Sequence, residues 1–474
     1  MTALMYKKPL SEEKSDMNLK VKAKLDPQFA PMSVVCREMR EATKENGQDI
    51  VIAVERNKGY TTTYKTRIFK DGTGKDDQNY AFVERIVKTL LWVAGGYKII
   101  IAGSDVVAEK IKEAYSYGGA RDFDVKFMER VYEEKFSVSS VALADAPQDK
   151  SSASPVGRHL DGCRIGFDAG GSDRKVSAVI DGESVYSEEV VWFPKTNSDP
   201  DYHYQGILEA MKTAASKMPR VDAIGVSSAG VYVDNRIMVA SLFLKVNDDD
   251  FEKKVKNMYI DVAREIGENI PIEVANDGDV TALAGAMNLN DNSVLGIAMG
   301  TSEAAGYVDP QGNITGWLNE LAFAPVDFCT EAMVDEWSGD YGCGVKYFSQ
   351  DGVIKLAPFA GIELDESLSP AEKLKVVQNL MKEGDERAAA IYDTIGAYFG
   401  YAIAYYSEFY DIRHVLIMGR VTSGKGGEIL LERAQEVLDK EFPELAKKIN
   451  LNIPDENARR VGQSVAAASL PKLN

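Results

Sequence analysis

The apolar positions of this chain change period repeatedly, from the two-residue alternation of strands to the 3.6-residue spacing of helices. Asp49–Val54 (DIVIAV) and Thr61–Phe69 read as strands, Tyr80–Ala94 as a helix, Lys98–Ala102 (KIIIA) as a buried strand and Ser104–Tyr115 as another helix. Ala144–His159 (ADAPQDKSSASPVGRH) has no apolar period and reads as a linker. Beyond it, Arg164–Asp168, Lys175–Asp181 and Ser184–Phe193 are strands, Tyr204–Lys217 is a helix and Ala223–Ser227 a buried strand. Helix Phe251–Ile266, strand Ile272–Ala275, a helix opening at Asp279 and strand Val294–Met299 follow. A helical region Ser369–Tyr410, strand His414–Met418 and helices Gly427–Phe442 and Gly462–Ser469 complete the pattern. Strands alternating with helices over this length specify an α/β fold.

The stretches before and after the linker share one order, strands, helix, strand, ending in IIAGSD and IGVSSAG. Two readings are open: a degenerate internal repeat, with Glu55 at the place of Asp168, or two unrelated α/β units.

With 474 residues, 45% of them hydrophobic, the chain has material for several cores. A formal net charge of −18 argues against a general nucleic-acid or anionic-membrane surface. No apolar run reaches the ~18 residues of a membrane span, and the first residues lack the apolar segment of a signal peptide. Cys36, Cys163, Cys329 and Cys343 form no CxxC pair, which fits a reducing cytoplasm and leaves no structural zinc expected.

Four loops at strand ends carry candidate chemistry. Asp168–Ser172 (DAGGS) offers a carboxylate, two glycines (Gly170, Gly171) whose amides can approach a phosphate, and the Ser172 hydroxyl; Asp168 can hold magnesium through water. Gly225–Gly230 (GVSSAG), with Ser228 and Gly230, opens space at the carboxyl end of a sheet. In Val274–Asp279 (VANDGD), Asp279 suits the helix N-cap, leaving Asn276 for hydrogen bonds to a polyol and Asp277 to accept a proton from a hydroxyl. Met299–Gly306 (MGTSEAAG) supplies a second hydroxyl-bearing loop with Gly300, Thr301 and Ser302. It carries Glu303 where a polyphosphate would rest, a like-charge conflict unless a cation intervenes.

In this order the loops resemble the ROK family (repressors, open reading frames and sugar kinases) of the hexokinase and actin-like ATPases, over Cys163 to Leu470. IPIEVANDGDVTALAGA is similar to the family's asparagine–aspartate motif and following helix. The resemblance implies Asp277 as general base, with Asn276, Gly230 and Ser228 around the sugar. GWLNELAFAPVD is similar to the family's Gly-Glu-x-Gly-His segment, which makes Glu320 a sugar-hydroxyl acceptor and puts Phe323 where the family has histidine. HVLIMGRVTSG resembles the adenine loop, with Gly419 kept and Arg420 replacing a glycine; VGQSVAAASL resembles the closing helix. YGCGVKYFSQDG supplies one cysteine, Cys343, where many members carry a zinc cluster.

The implied fold is a two-lobed actin-like (ribonuclease H-like) core plus an N-terminal α/β accessory domain. Its expected divisions are 1–143 for that domain, 144–160 for the linker, 161–280 for the first lobe, closed by a helix over 460–472, and 281–459 for the second. The implied activity is phosphorylation of a sugar or amino sugar with ATP and Mg²⁺, by a cytoplasmic homodimer with no nucleic-acid or membrane partner. The alternative is a non-catalytic sugar or nucleotide sensor on the same fold.

Overall fold

The computed structural model describes residues 17–151, 156–454 and 456–473, the backbone alone at 456–461. Residues 1–16 of the expected N-terminal domain and 152–155 of the expected linker lie outside them.

The N-terminal unit contains helix α1 (Met32–Ala42), strands β1 (Gly47–Arg56) and β2 (Tyr60–Phe69), helix α2 (Asp76–Ala94), strand β3 (Lys98–Ala102), helices α3 (Asp105–Ala114) and α4 (Asp122–Tyr132), and strand β4 (Ser137–Val141). Its sheet runs β2-β1-β3-β4.

The first lobe begins with β5 (Cys163–Ala169), β6 (Asp173–Ile180) and β7 (Glu183–Val191), then α5 (Pro200–Ala215) and β8 (Ala223–Ser228). The small hairpin β9 (Val231–Val233) and β10 (Arg236–Val239), the turn α6 (Asp248–Asp250), α7 (Met258–Ile266) and β11 (Ile272–Asn276) follow. Its sheet runs β11-β8-β5-β6-β7. Strands β5, β6 and β7 are antiparallel, and β8 and β11 extend the sheet in parallel. Every residue of β5 is buried, as a central strand requires, whereas β7 alternates between exposed and half-buried positions at the edge.

Helix α8 (Asp277–Leu289) leads to the second lobe: β12 (Val294–Met299), β13 (Glu303–Val308), α9 (Gln350–Leu356), α10 (Pro370–Glu383), α11 (Glu386–Tyr406), β14 (His414–Met418), α12 (Lys425–Glu441), α13 (Pro443–Ala446) and β15 (Asn450–Asn452). Its sheet runs β13-β12-β14-β15. The helical region expected over Ser369–Tyr410 is two helices: α10 ends at Gly384, whose φ of 81° suits glycine, and Asp385 caps α11. Helix α14 (Glu456–Ala468) returns to the first lobe. It lies so close to β5 that a Cβ on Gly166 would sit 2.0 Å from Ser464 O.

The internal repeat does not hold. Strand β3 pairs antiparallel to β1, whereas β8 pairs parallel to β5. Two strands precede the helix in one case and three in the other, so the chain returns from opposite ends of the sheet. Glu55 faces Lys98 at 3.6 Å rather than a phosphate loop.

The N-terminal unit shares one continuous apolar core with the second lobe, which joins Ile52, Leu90 and Trp92 to Tyr398, Tyr405 and Leu321. A buried ionic cluster reinforces the seam. Arg85 and Arg121 bind both Glu84 and Asp340, and Lys88 binds Asp124 and Asp340. Against the first lobe it sets ion pairs, Glu133 with Arg236 and Lys256 and Lys58 with Asp234, and Val231 of that lobe joins the shared apolar core. The linker stretch is strapped down on both sides. Lys150 pairs with Thr61, and Gly157 and His159 donate to Leu470 and Ser469. Among the described residues no helix is long and apolar enough to cross a membrane.

Candidate active site

Asp277 opens α8 immediately after β11, where the helix N-terminus favours a carboxylate. Burial raises its pKa against the Gly278 amide, which donates to its carboxylate at 3.0 Å, and against the nearby Lys195 ammonium. The helix cap is Asn276, not Asp279 as the sequence suggested. Its Oδ1 accepts from Gly278 N at 2.7 Å, and its Nδ2 donates to Gly230 O at 2.8 Å. Asp279 is instead buried one turn on, where its Oδ1 accepts from Tyr307 N and Asn319 Nδ2. Burial, helped by the charge of Asp277, pushes Asp279 up to about 7.

Asp168 ends β5 with 7% of its surface exposed, its Oδ1 accepting from Ser227 Oγ at 2.8 Å and its Oδ2 4.0 Å from Lys175 Nζ. Burial raises it to about 6; Ser227 and Lys175 oppose the rise and Asp277 adds to it. Beyond it, Trp192 Nε1 donates to Gly170 O and Trp192 N to Ser172 O, which fixes the Gly170–Gly171 turn. The exposed Ser172 hydroxyl donates to Asp173 at 3.0 Å.

Glu320 stands where the second lobe meets the N-terminal unit. Its N–H and that of Asn319 donate to Trp92 O and Val93 O, the free carbonyls at the end of α2. Burial raises Glu320 to about 7, with Asp277 and Asp279 contributing. Phe323 packs on Trp92 at a centroid distance of 4.3 Å, so the residue standing for the family's histidine belongs to an aromatic cluster built with α2.

The second loop is held at both ends. Gly300 N donates to Ser302 O and Gly300 O accepts from Gln350 N at the start of α9. Thr301 Oγ1 accepts from Arg420 Nη2 at 2.7 Å. Gly419 must be glycine: its φ is 101°, and a Cβ there would lie 2.3 Å from Met299 O. That contact brings the expected adenine loop against the second loop, with the Arg420 guanidinium between them.

Two expectations change. Glu303 does not face the second loop's ligand side. It is 3% exposed, neither carboxylate oxygen has a partner, and burial, then Glu320, raises its pKa well above the ordinary value. A carboxyl turned into the lobe, away from the loop's ligand side, removes the like-charge conflict. Ser228 is fully buried, with its Oγ accepting from Tyr259 OH at 2.9 Å. Strand alternation turns Ser227 to Asp168 and Ser228 to the opposite face.

Lys195 was missed. It follows β7 in a short turn with no local motif. A Cβ on Gly171 would lie 2.9 Å from its Nζ, so the ammonium rests on the first loop, close enough to act on Asp277. A cavity of about 350 Å³ is lined by residues that flank Asp277 in the chain, but not by Asp277, Lys195, Asp168 or Glu320 themselves. Gly230, Asn276 and Asp279 line it, together with Trp317 of the second lobe and Arg56 and Tyr132 of the N-terminal unit.

Residues 164–450 match the model of the ROK family. The two-lobed α/β core, with its mixed sheets, is an actin-like ATPase fold. No curated protein matches the chain. Among solved structures, a ROK hexokinase from Thermus thermophilus is 18% identical, with TM-score 0.48, over 64% of this chain and 97% of that one. A ROK family transcriptional regulator, a homologue of the E. coli MLC protein, is 18% identical with TM-score 0.49, over 66% and 79%. A ROK family glucokinase from Streptomyces griseus, solved with glucose and AMPPNP, is 17% identical with TM-score 0.45, over 65% and 98%.

Proposed function

The chain belongs to the ROK family, and on that premise we propose that it is a cytoplasmic kinase that transfers the terminal phosphate of ATP to a hydroxyl of a sugar or amino sugar. The supporting observation is Asp277: a half-buried carboxylate at a helix N-terminus, within electrostatic reach of Lys195, Asp168 and Glu320, and next in the chain to Asn276, which lines an interlobe cavity.

In this reading Asn276 and Gly230, tied to each other, shape the acceptor side, and Glu320 accepts from a sugar hydroxyl. Asp277 takes the proton of the reacting hydroxyl as its oxygen attacks the terminal phosphorus, and the bond to the ADP oxygen breaks. Its raised pKa makes it the stronger base, and general-base assistance of this kind is worth ~10²–10⁴-fold. The loops Asp168–Ser172 and Gly300–Ser302 flank the phosphates, with Lys195 and Arg420 supplying positive charge and Gly419 giving the base room. Among the described residues no three His, Cys, Asp or Glu side chains converge on a metal site. The single carboxylate of Asp168 therefore suits a magnesium ion that arrives with the nucleotide and keeps its own water. Such an ion supplies charge neutralisation between the phosphates. Closure of the lobes excludes water from the transfer.

ADP release with magnesium-ATP and a panel of hexoses, amino sugars and N-acylated sugars tests the reading. Sugar-dependent turnover that falls at least ~10²-fold in Asp277→Asn is expected. Unchanged turnover in that variant would remove the role of Asp277. A second reading, a non-catalytic sugar sensor, draws on Phe323, which is locked into the α2 cluster instead of offering a polar group to the sugar. Calorimetric binding of sugar without binding of ATP would favour it.

A further inference from the structure

The 350 Å³ cavity falls within the size range of small-molecule sites, and three parts of the fold wall it. The N-terminal unit contributes Arg56 from the end of β1 and Tyr132 from the end of α4. Arg56 is 4% exposed, yet no carboxylate pairs with it among the described residues. Its side chain has one hydrogen bond, from Nη1 to Thr62 Oγ1 at 3.2 Å, and its guanidinium lies over the Tyr60 ring at 5.7 Å. The groups that act on its charge are Tyr132 and Tyr60. The other buried arginines, Arg85, Arg121 and Arg164, are all bound to carboxylates. Tyr132, 6% exposed, has a hydroxyl with no hydrogen-bond partner among the described residues.

An arginine does not lose its proton in a protein, so a buried one needs a counter-charge. The acidic residues of the cavity do not supply it. Asp234 is taken by Lys58 at 2.7 Å, and Asp279 by Tyr307 N and Asn319. Glu273 is raised to about 7, by burial first and then by Asp234, with Lys58 opposing. The first lobe contributes Gly230 and Asn276 to the same cavity, residues that the kinase reading places around the acceptor.

We propose that the N-terminal unit completes the acceptor pocket and that Arg56, assisted by the Tyr132 hydroxyl, binds an anionic substituent on the ligand, making the chain selective for sugars that carry a carboxylate or a phosphate monoester. The proposal rests on the kinase reading only in naming the ligand a sugar. A planar guanidinium matches either oxyanion, and a phenol hydroxyl beside it can donate to the same group.

Calorimetric titration of the full chain with glucose, N-acetylglucosamine, glucuronate and glucose 6-phosphate tests it, with the last two separating carboxylate from phosphate. At least one anionic sugar is expected to bind about tenfold or more tighter than its neutral parent. Arg56→Gln should remove that preference. Tyr132→Phe, which deletes one oxygen and keeps the packing, should weaken the anionic ligand several-fold and leave the neutral one unchanged, so a misfolded arginine variant does not end the test. Neutral sugars binding as well as anionic ones, or a preference that survives both substitutions, would overturn the proposal. An Arg56-dependent preference without turnover of any sugar would sustain it and sink the kinase reading. Asp277-dependent turnover of neutral sugars with no anionic preference would do the reverse.

Discussion

Replacing Asp340 with asparagine should loosen the joint between the N-terminal unit and the second lobe. The side chain of Asp340 is 1% exposed and lies 2.9 Å from Arg85 Nη1, 2.9 Å from Arg121 Nη1 and 3.4 Å from Lys88 Nζ. Glu84 and Asp124 are the other carboxylates of the cluster, so three cations face three anions. The Asp340→Asn substitution would leave one positive charge uncompensated in the interior, and breaking a buried ion pair on one side costs about 3–5 kcal/mol. Burial tends to raise the pKa of Asp340, but Arg85, Lys88 and Arg121 hold it at about 2, below its ordinary value of 3.8. A depressed carboxylate contributes stability that is full above its unfolded pKa and is lost as pH falls through the folded one. From these two values about 1 kcal/mol should go between pH 5 and pH 3, and the rest below. Urea unfolding of the parent and Asp340→Asn across that range, followed by tryptophan fluorescence, measures both effects. Since Trp92 sits in the shared core, its signal should report one joint transition. A variant within ~1 kcal/mol of the parent at pH 7, or a gap between the two proteins that stays constant from pH 5 to pH 3, would refute the reasoning.

Asp168 at about 6, and Asp279 and Glu320 at about 7, are carboxyls raised chiefly by burial, and the sign reverses for them. Their stabilisation is full below the unfolded carboxylate pKa and lost as pH rises through 6 to 7, so the melting temperature should fall between pH 5 and pH 8 in scanning calorimetry; a rise would contradict it. Glu303→Gln replaces a partnerless buried carboxyl with a neutral amide of the same shape, and should stay within ~1 kcal/mol of the parent in urea at pH 7. A loss above ~3 kcal/mol would mean that an ionised, paired Glu303 had been removed. Lys195→Ala should lower kcat by about tenfold or more in the ADP-release assay with less effect on the KM for sugar, because its charge rests on the first phosphate loop. An altered sugar KM with kcat intact would move Lys195 to the acceptor side.

Local sequence determined much of this molecule. Strands Lys98–Ala102, Val294–Met299 and His414–Met418 have the limits their apolar runs predict, because a buried strand needs only a short continuous apolar segment bounded by polar residues. The loops at Asp168, Asn276–Asp277 and Gly300 could be read for the same reason: each follows such a strand, and its chemistry lies in adjacent residues. The tertiary structure alone decided what depends on distant partners. The cap passed from Asp279 to Asn276 because Tyr307 and Asn319, remote in sequence, claim the Asp279 carboxylate. Ser228 and Glu303 turn inward because Tyr259 and the packing of the second lobe set the faces of β8 and β13. Lys195 meets Gly171, and Arg56 meets Tyr132, only once the chain has folded, so no local pattern marks either residue. The N-terminal residues look like a separable α/β unit because their own elements are well formed, while their joining to the second lobe is written in pairings such as Arg85 with Asp340. Periodicity reports which face of an element is buried; it carries no record of what the face is buried against.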